Sequence, residues 1–140
     1  SLEVAATALG VEVTVDGTDA PIRAIPQLIY SIVYNLCDNA IKYNHCGGNV
    51  NIRVHQTLYN AVLSVKDTGI GIPEESRERI FERFYRVDKS RSKEVGGTGL
   101  GLSIVKHAVM IHNGKIEVKS ELGEGTEMIV TIPNKQDINL

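Results

Sequence analysis

The placement of the glycines constrains this chain more than any other feature. Six of them fall in two short stretches, Asp67-Thr68-Gly69-Ile70-Gly71-Ile72 and Gly96-Gly97-Thr98-Gly99-Leu100-Gly101-Leu102, separated by a charged and aromatic segment. Glycine gives up more backbone freedom on folding than any other residue, so dense use of it marks sharp turns or close approach of backbone to a ligand. Neither stretch is a common phosphate loop. The second lacks the Gly-Lys-Ser/Thr ending of the loop that grips phosphates with a lysine. It also lacks an acidic residue placed as in a dinucleotide fold. Together the two stretches imply a split nucleotide site.

Periodicity supplies the frame around them. Residues 2–9 read as the end of a helix, and Val11, Val13 and Val15 alternate with polar residues before Asp16-Gly17, the pattern of a half-buried strand. From Pro26 to about Tyr43 the pattern is helical, with proline at the tolerated first position. At about 100° per residue Asn35, Asn39 and Lys42 share one narrow arc, and Val33, Leu36 and Ala40 cluster on roughly the other side. Val50, Ile52 and Val54 alternate, as do Ala61, Leu63 and Val65, and the second of these strands ends in Asp67. Pro73-Glu74-Glu75 opens a short helix through about Phe84, and residues 85–97 read as a long loop, a mobile lid. A last helix runs from Gly101 to about His112, and two alternating strands follow, joined at Glu121-Leu122-Gly123-Glu124-Gly125. Strand pairs interrupted by core helices predict an α+β fold, a two-layer sandwich. About five strands form a mixed, mostly antiparallel sheet, with three main helices on one face. A single domain over residues 1–133 and a frayed polar tail over 134–140 are expected.

Composition narrows the partners. Fifteen basic and 17 acidic side chains give a formal net charge of -2, which carries no footprint of a nucleic-acid or membrane-surface binder. Cys37 and Cys46 are too few for a disulfide scaffold, which points to free thiols in a reducing, cytoplasmic setting. No apolar run approaches the roughly 20 residues that span a bilayer. Ser1 in place of an initiating Met suggests a fragment, and a membrane segment upstream in the parent is compatible with it.

The chemistry-bearing residues fit the split site. An aspartate at a strand end beside two glycines can accept a hydrogen bond from an exocyclic amine such as that of adenine, although Asp-x-Gly is also a common turn. Free N–H groups where the second stretch enters its helix make an anion site. An asparagine within a core helix needs partners, and the amide oxygen of Asn39 is a hard neutral ligand suited to Mg²⁺ on a nucleotide. Asn35, one turn earlier, can add a water-mediated contact. Lys42 can meet a phosphate as a point charge, and Tyr43 can pack against sugar or base. A polar network within a core helix is the alternative for this stripe.

Five segments, in order, resemble the N, G1, F, G2 and G3 boxes of sensor histidine kinases. They are Asn35-Leu36-Cys37-Asp38-Asn39-Ala40-Ile41-Lys42-Tyr43, Asp67-Thr68-Gly69-Ile70-Gly71-Ile72, Phe81-Glu82-Arg83-Phe84-Tyr85-Arg86, Gly97-Thr98-Gly99-Leu100-Gly101-Leu102 and Gly123-Glu124-Gly125-Thr126. Nearly the whole chain is similar to the catalytic ATP-binding domain of a two-component sensor kinase, in its phosphate-sensor form among others. The resemblance implies a Bergerat-type ATP site. Asp67 takes the adenine amine with a water shared by Thr126 and Gly71, Asn39 holds Mg²⁺, Lys42 contacts phosphate, and Tyr43 flanks the nucleoside. It further implies that residues 85–97 form the ATP lid, with Arg86 a candidate for the γ-phosphate and Gly97, Gly99 and Gly101 offering backbone donors. Gly69, Ile72, Tyr85, Thr98, Leu100 and Leu102 complete the implied pocket. Pro26, where many members are acidic, and His112-Asn113-Gly114, where His-Gly-Gly is frequent, depart from the pattern away from these contacts.

The resemblance also defines what the chain lacks. In this family the nucleophile is a histidine on a helical dimerisation domain, followed by an acidic residue. His45, His55, His107 and His112 precede Cys46, Gln56, Ala108 and Asn113, so each reads as structural or surface. Related ATPases such as gyrase and the heat-shock chaperone place a water-activating glutamate one turn before the metal-binding Asn. Here that position is Asn35, and an amide is no general base. The expected activity is therefore transfer of the γ-phosphate to a histidine outside this chain, with a response-regulator receiver domain downstream. A water-activating ATPase and a degenerate, nucleotide-gated binding module are the competing readings.

Overall fold

The computed structural model describes residues 2–87 and 99–134. Five strands form one sheet in the order β1-β2-β3-β5-β4: β1 (Glu12–Gly17), β2 (Asn49–Gln56), β3 (Asn60–Asp67), β4 (Lys115–Glu121) and β5 (Gly125–Pro133). Helices α1 (Leu2–Leu9), α2 (Pro26–Lys42) and α3 (Gly101–Ile111) make the second layer. The expected α+β sandwich is the observed fold. β1 runs parallel to β2, and the other neighbours are antiparallel. A parallel pair cannot be closed by a tight hairpin, and α2 is the crossover that joins it.

Alternation decides which face is covered. Val50 on β2, Val65 on β3 and Met128, Val130 and Ile132 on β5 are buried beneath the helices, with half-buried Ile116 and Val118 of β4 packed against them. The helices answer with Ile32, Leu36, Cys37, Ala40 and Ile41 from α2 and Val105, Ala108 and Val109 from α3. Fully burying one such aliphatic side chain is worth about 1.5–3 kcal/mol, so this cluster is the main source of stability. Burial pushes the Cys37 thiol up to about 11, with the neighbouring Asp38 charge adding to it, and Cys46 is exposed.

His112 ties the two long helices together. It is fully buried; its Nε2 accepts the Ile25 N–H at 3.0 Å and its Nδ1 lies 2.8 Å from the Ala108 carbonyl, an arrangement of the neutral ring. Ile25 stands at the N-cap of α2 with no side-chain cap of its own. Asn113, at φ 56°, ends α3 in the left-handed conformation, and the Gly114 N–H returns to the Val109 carbonyl at 2.9 Å.

Two expectations are corrected. The single helix from Pro73 to about Phe84 is instead two one-turn 3-10 helices, Glu74–Ser76 and Arg79–Phe81. Glu82 turns extended and Phe84 adopts φ 66°, because the segment bends to bury Ile80 and to bring the Tyr85 hydroxyl within 2.7 Å of Ser76 Oγ. Strand β1 is exposed along its whole length, with Val15 71% accessible, where a half-buried strand was expected. It is a sheet edge, and of the valines before Asp16 only Val11, ahead of the strand, reaches the core. The other boundaries agree with the sequence pattern to within about two residues. Of the expected lid over residues 85–97, residues 88–97 lie outside the described residues, as do residues 135–140 of the expected tail.

Candidate active site

The core-facing alternation of three adjacent strands ends in polar residues at one end of the sheet. Asp67 continues the phase of Leu63 and Val65, Ser120 that of Ile116 and Val118, and Thr126 that of Met128 and Val130. Where the apolar face stops, a cavity of about 400 Å³ opens between these strand ends, α2 and the start of α3.

Asp67 forms part of its wall. Its Oδ1 accepts two backbone N–H groups, from Gly69 at 2.8 Å and from Thr126 at 3.2 Å. Burial pushes the carboxyl above the usual range, and these two donors oppose the shift. Both bonds fall on Oδ1, which leaves Oδ2 as the acceptor for a ligand. The Thr126 hydroxyl lies 2.8 Å from Ser120 Oγ, which also receives the Ile72 N–H at 2.8 Å.

The stripe on α2 forms a second wall. Asn35, Asn39 and Lys42 all line the cavity, with Tyr43 at the helix end. Asn35 donates from Nδ2 to the Ser31 carbonyl at 2.8 Å, one turn back. Its Oδ1 packs on Gly101, where an added Cβ would approach to 2.9 Å and the Asn35 amide would have to shift. Lys42 is engaged by Asp38, with Nζ to Oδ2 at 3.0 Å and both side chains mostly covered. Asp38 lines the cavity too and was missed, although an acid four residues before a lysine on a helix is a readable signal. Ser120 was also missed; its signal is a polar residue in phase with an apolar strand face.

Gly71 lines the cavity, at φ 74°, and a Cβ there would strike the Glu121 carbonyl; its glycine serves the packing of the turn on the β4–β5 hairpin. Gly69 sits behind Asp67 against the Tyr43 carbonyl, away from the cavity lining. Ile72, Tyr85, Arg86, Gly99, Gly101, Leu102 and Thr126 are brought to the cavity, and Leu100 stands beside it as the residue preceding α3. Tyr85 is held from both sides, by Ser76 at its hydroxyl and by the Arg79 guanidinium 4.4 Å over its ring. The Phe84 N–H donates to the Gly99 carbonyl at 2.8 Å, which joins the segment entering residues 88–98 to the one leaving them. Gly97 and Thr98 lie outside the described residues. No helix among the described residues is long and apolar enough to cross a membrane.

Residues 24–136 match the family described as histidine kinase-, DNA gyrase B-, and HSP90-like ATPase. Over 124 residues the chain is 44% identical to the sensor-like histidine kinase SenX3 of Mycolicibacterium smegmatis, covering 86% of this chain and 32% of that protein. It is 45% identical over 111 residues to the sensor histidine kinase WalK of Bacillus subtilis, covering 78% of this chain and 18% of that protein. The chain thus spans a third or less of these relatives. Among solved structures, the mycobacterial sensor histidine kinase MprB superposes with a TM-score of 0.84 at 32% identity, covering 97% of this chain and 92% of that one. The nucleotide-free catalytic domain of histidine kinase ThkA gives 0.82 at 28% identity, covering 96% and 88%. With the ordered boxes, the two-layer fold and the cavity at the strand ends, these similarities show that the chain belongs to the histidine kinase-, DNA gyrase B-, and HSP90-like ATPase family, as an ATP-binding domain of the sensor histidine kinase kind.

Proposed function

We propose that this domain binds Mg-ATP and presents the γ-phosphate to a histidine on a dimerisation domain of the same parent protein, whose phosphoryl group then passes to a response-regulator receiver domain. The observation that carries the reading is Asp67: a half-buried carboxylate, anchored at Oδ1 by two N–H groups, at the edge of a cavity of about 400 Å³. Such an anchor orients the second oxygen toward a donor on a flat ligand, and adenine offers one in its amine. Thr126 and Gly71 stand beside it for a shared water, and Ile72 and Leu102 supply apolar walls.

Asn39 is the candidate oxygen ligand for Mg²⁺. No group of three or more His, Cys, Asp or Glu side chains suited to caging a metal occurs among the described residues. That fits an ion that arrives with the phosphates and takes one or two protein oxygens. When bound, Mg²⁺ supplies neutralisation of charge on the phosphate oxygens. Lys42 adds a mobile positive charge once it leaves Asp38, Arg86 is the candidate contact for the terminal phosphate, and Gly99 and Gly101 offer backbone donors. Tyr43 flanks the nucleoside.

Transfer is favoured over hydrolysis by Asn35. Its amide is bonded to the Ser31 carbonyl and packed on Gly101, and it has no proton-accepting role to play toward water. Phosphoryl transfer asks the protein mainly to position reactants and to spread charge, so the nucleophile comes from the partner domain. A cytoplasmic place within a membrane-bound sensor kinase goes with this reading.

The test is to mix the chain with a dimerisation domain bearing an acceptor histidine and γ-labelled ATP. Acid-labile label on that domain, with little free phosphate released by the chain alone, is the expected result. Rapid phosphate release without the acceptor would instead establish a water-activating ATPase.

A further inference from the structure

The hydroxyl pair Ser120–Thr126 has a direction, and the direction follows from counting protons. Ser120 Oγ lies within hydrogen-bond distance of three groups: the Gly125 carbonyl at 3.0 Å, the Ile72 N–H at 2.8 Å and Thr126 Oγ1 at 2.8 Å. A serine hydroxyl has one proton to give and two lone pairs to receive with. The Gly125 carbonyl can only accept, so it takes the Ser120 proton. The Ile72 N–H can only donate, so it takes one lone pair. The remaining lone pair receives the Thr126 proton, and every valence of Ser120 Oγ is then used. Were the Ser120 proton turned to Thr126 instead, two oxygen lone pairs would face each other across the 3.0 Å between Ser120 Oγ and the Gly125 carbonyl. The Arg77 guanidinium, at the end of the first 3-10 helix, holds the Ser120 carbonyl and fixes the residue in place.

Thr126 lines the cavity, and with its proton committed to Ser120 it turns only lone pairs toward a ligand. Asp67 beside it also offers only acceptance. We propose that Ser120 is a specificity-determining positioning residue: by taking the Thr126 proton it keeps the Thr126 hydroxyl an acceptor beside Asp67, so that the cavity selects a purine bearing a 6-amino group over one bearing a 6-oxo group. This rests on the ATP-binding reading of the same cavity. Neither Ser120 nor Arg77 touches the base; both act through Thr126.

The experiment measures ATP and inosine triphosphate affinities by titration calorimetry for the chain and its Ser120→Ala, Ser120→Cys and Ser120→Thr variants. Without the Ser120 oxygen the Thr126 hydroxyl is released to donate into the cavity, where a 6-oxo group can receive it. The ATP-to-ITP affinity ratio of Ser120→Ala is expected to fall roughly five- to tenfold, the worth of one hydrogen bond. Ser120→Cys, whose sulfur is a weak acceptor, falls in the same direction, and Ser120→Thr keeps the wild-type ratio. If Ser120→Ala does not fold, the contrast between Cys and Thr decides. An unchanged ratio in Ala and Cys, an equal loss of both nucleotides, or a Thr variant that loses discrimination as Ala does would overturn the proposal while the ATP reading stands. A wild-type chain that binds neither nucleotide would overturn both.

Discussion

The two ends of the cavity are built in different ways. At the strand end, Asp67, Thr126 and Ser120 are held by backbone N–H and carbonyl groups, at distances of 2.8–3.2 Å, within a sheet. At the helix end, Lys42 and Asp38 hold each other in an ion pair between flexible side chains that are partly exposed. The first arrangement is complete before any ligand arrives. The second must exchange partners, since Lys42 cannot serve a phosphate and Asp38 equally. On the proposed reading, recognition of a base is preorganised by strand register, whereas recognition of phosphate is left to side chains that give up one charge for another.

The comparison is most severely tested at Asp67. Asp67→Asn keeps an acceptor for the Gly69 and Thr126 N–H groups but turns an amide donor toward the adenine amine. ATP affinity by titration calorimetry is expected to fall on the order of 100-fold, about 2.7 kcal/mol. A drop of twofold or less would mean that the strand end does not read the base.

Asn39→Ala probes the helix end next. The Mg²⁺-dependent part of ATP affinity should vanish, on the order of a tenfold loss, while affinity in the presence of a chelator and the melting temperature stay unchanged. An equal loss with and without Mg²⁺ would remove Asn39 from the metal.

Asp38→Asn is expected to act in the opposite sense. Lys42 no longer has to leave a carboxylate, so nucleotide affinity rises, by roughly two- to threefold given the few tenths of a kcal/mol in an i,i+4 pair. Weaker binding would show that Asp38 contributes to the bound state.

The smallest effect is on stability against pH. Burial raises the folded-state pKa of Asp67 above its ordinary 3.8, so its contribution is fully present below that value and is lost as pH rises through the raised one. Asp67→Asn lacks this titration. Its melting temperature relative to wild type should improve between acid and neutral pH, and a relative decline over that interval would contradict the assignment.

Much of this was legible beforehand because it depends on local periodicity. Alternation placed β2 to β5, the 3.6-residue period placed α2 and α3, and the arc on α2 brought Asn35, Asn39 and Lys42 to one wall. The misreadings share a cause. Pro73-Glu74-Glu75 is a sound helix start, yet the segment breaks because Ile80 and Tyr85 are drawn inward by groups distant in the chain or across a bend. Val13 and Val15 alternate as a covered strand would, and nothing local reveals that β1 is a sheet edge.

By itself, then, the sequence determined the element types, the polar stripe on α2 and the two glycine stretches, all of which rest on spacing along one chain. Only the tertiary structure decided what those glycines meet, Gly71 the Glu121 carbonyl, which excludes a side chain, and Gly101 the Asn35 amide, which lies close against it. It alone joined Lys42 to Asp38 and gave the Ser120–Thr126 hydroxyl pair its direction, because a proton's destination depends on every acceptor within about 3 Å, whichever strand supplies it.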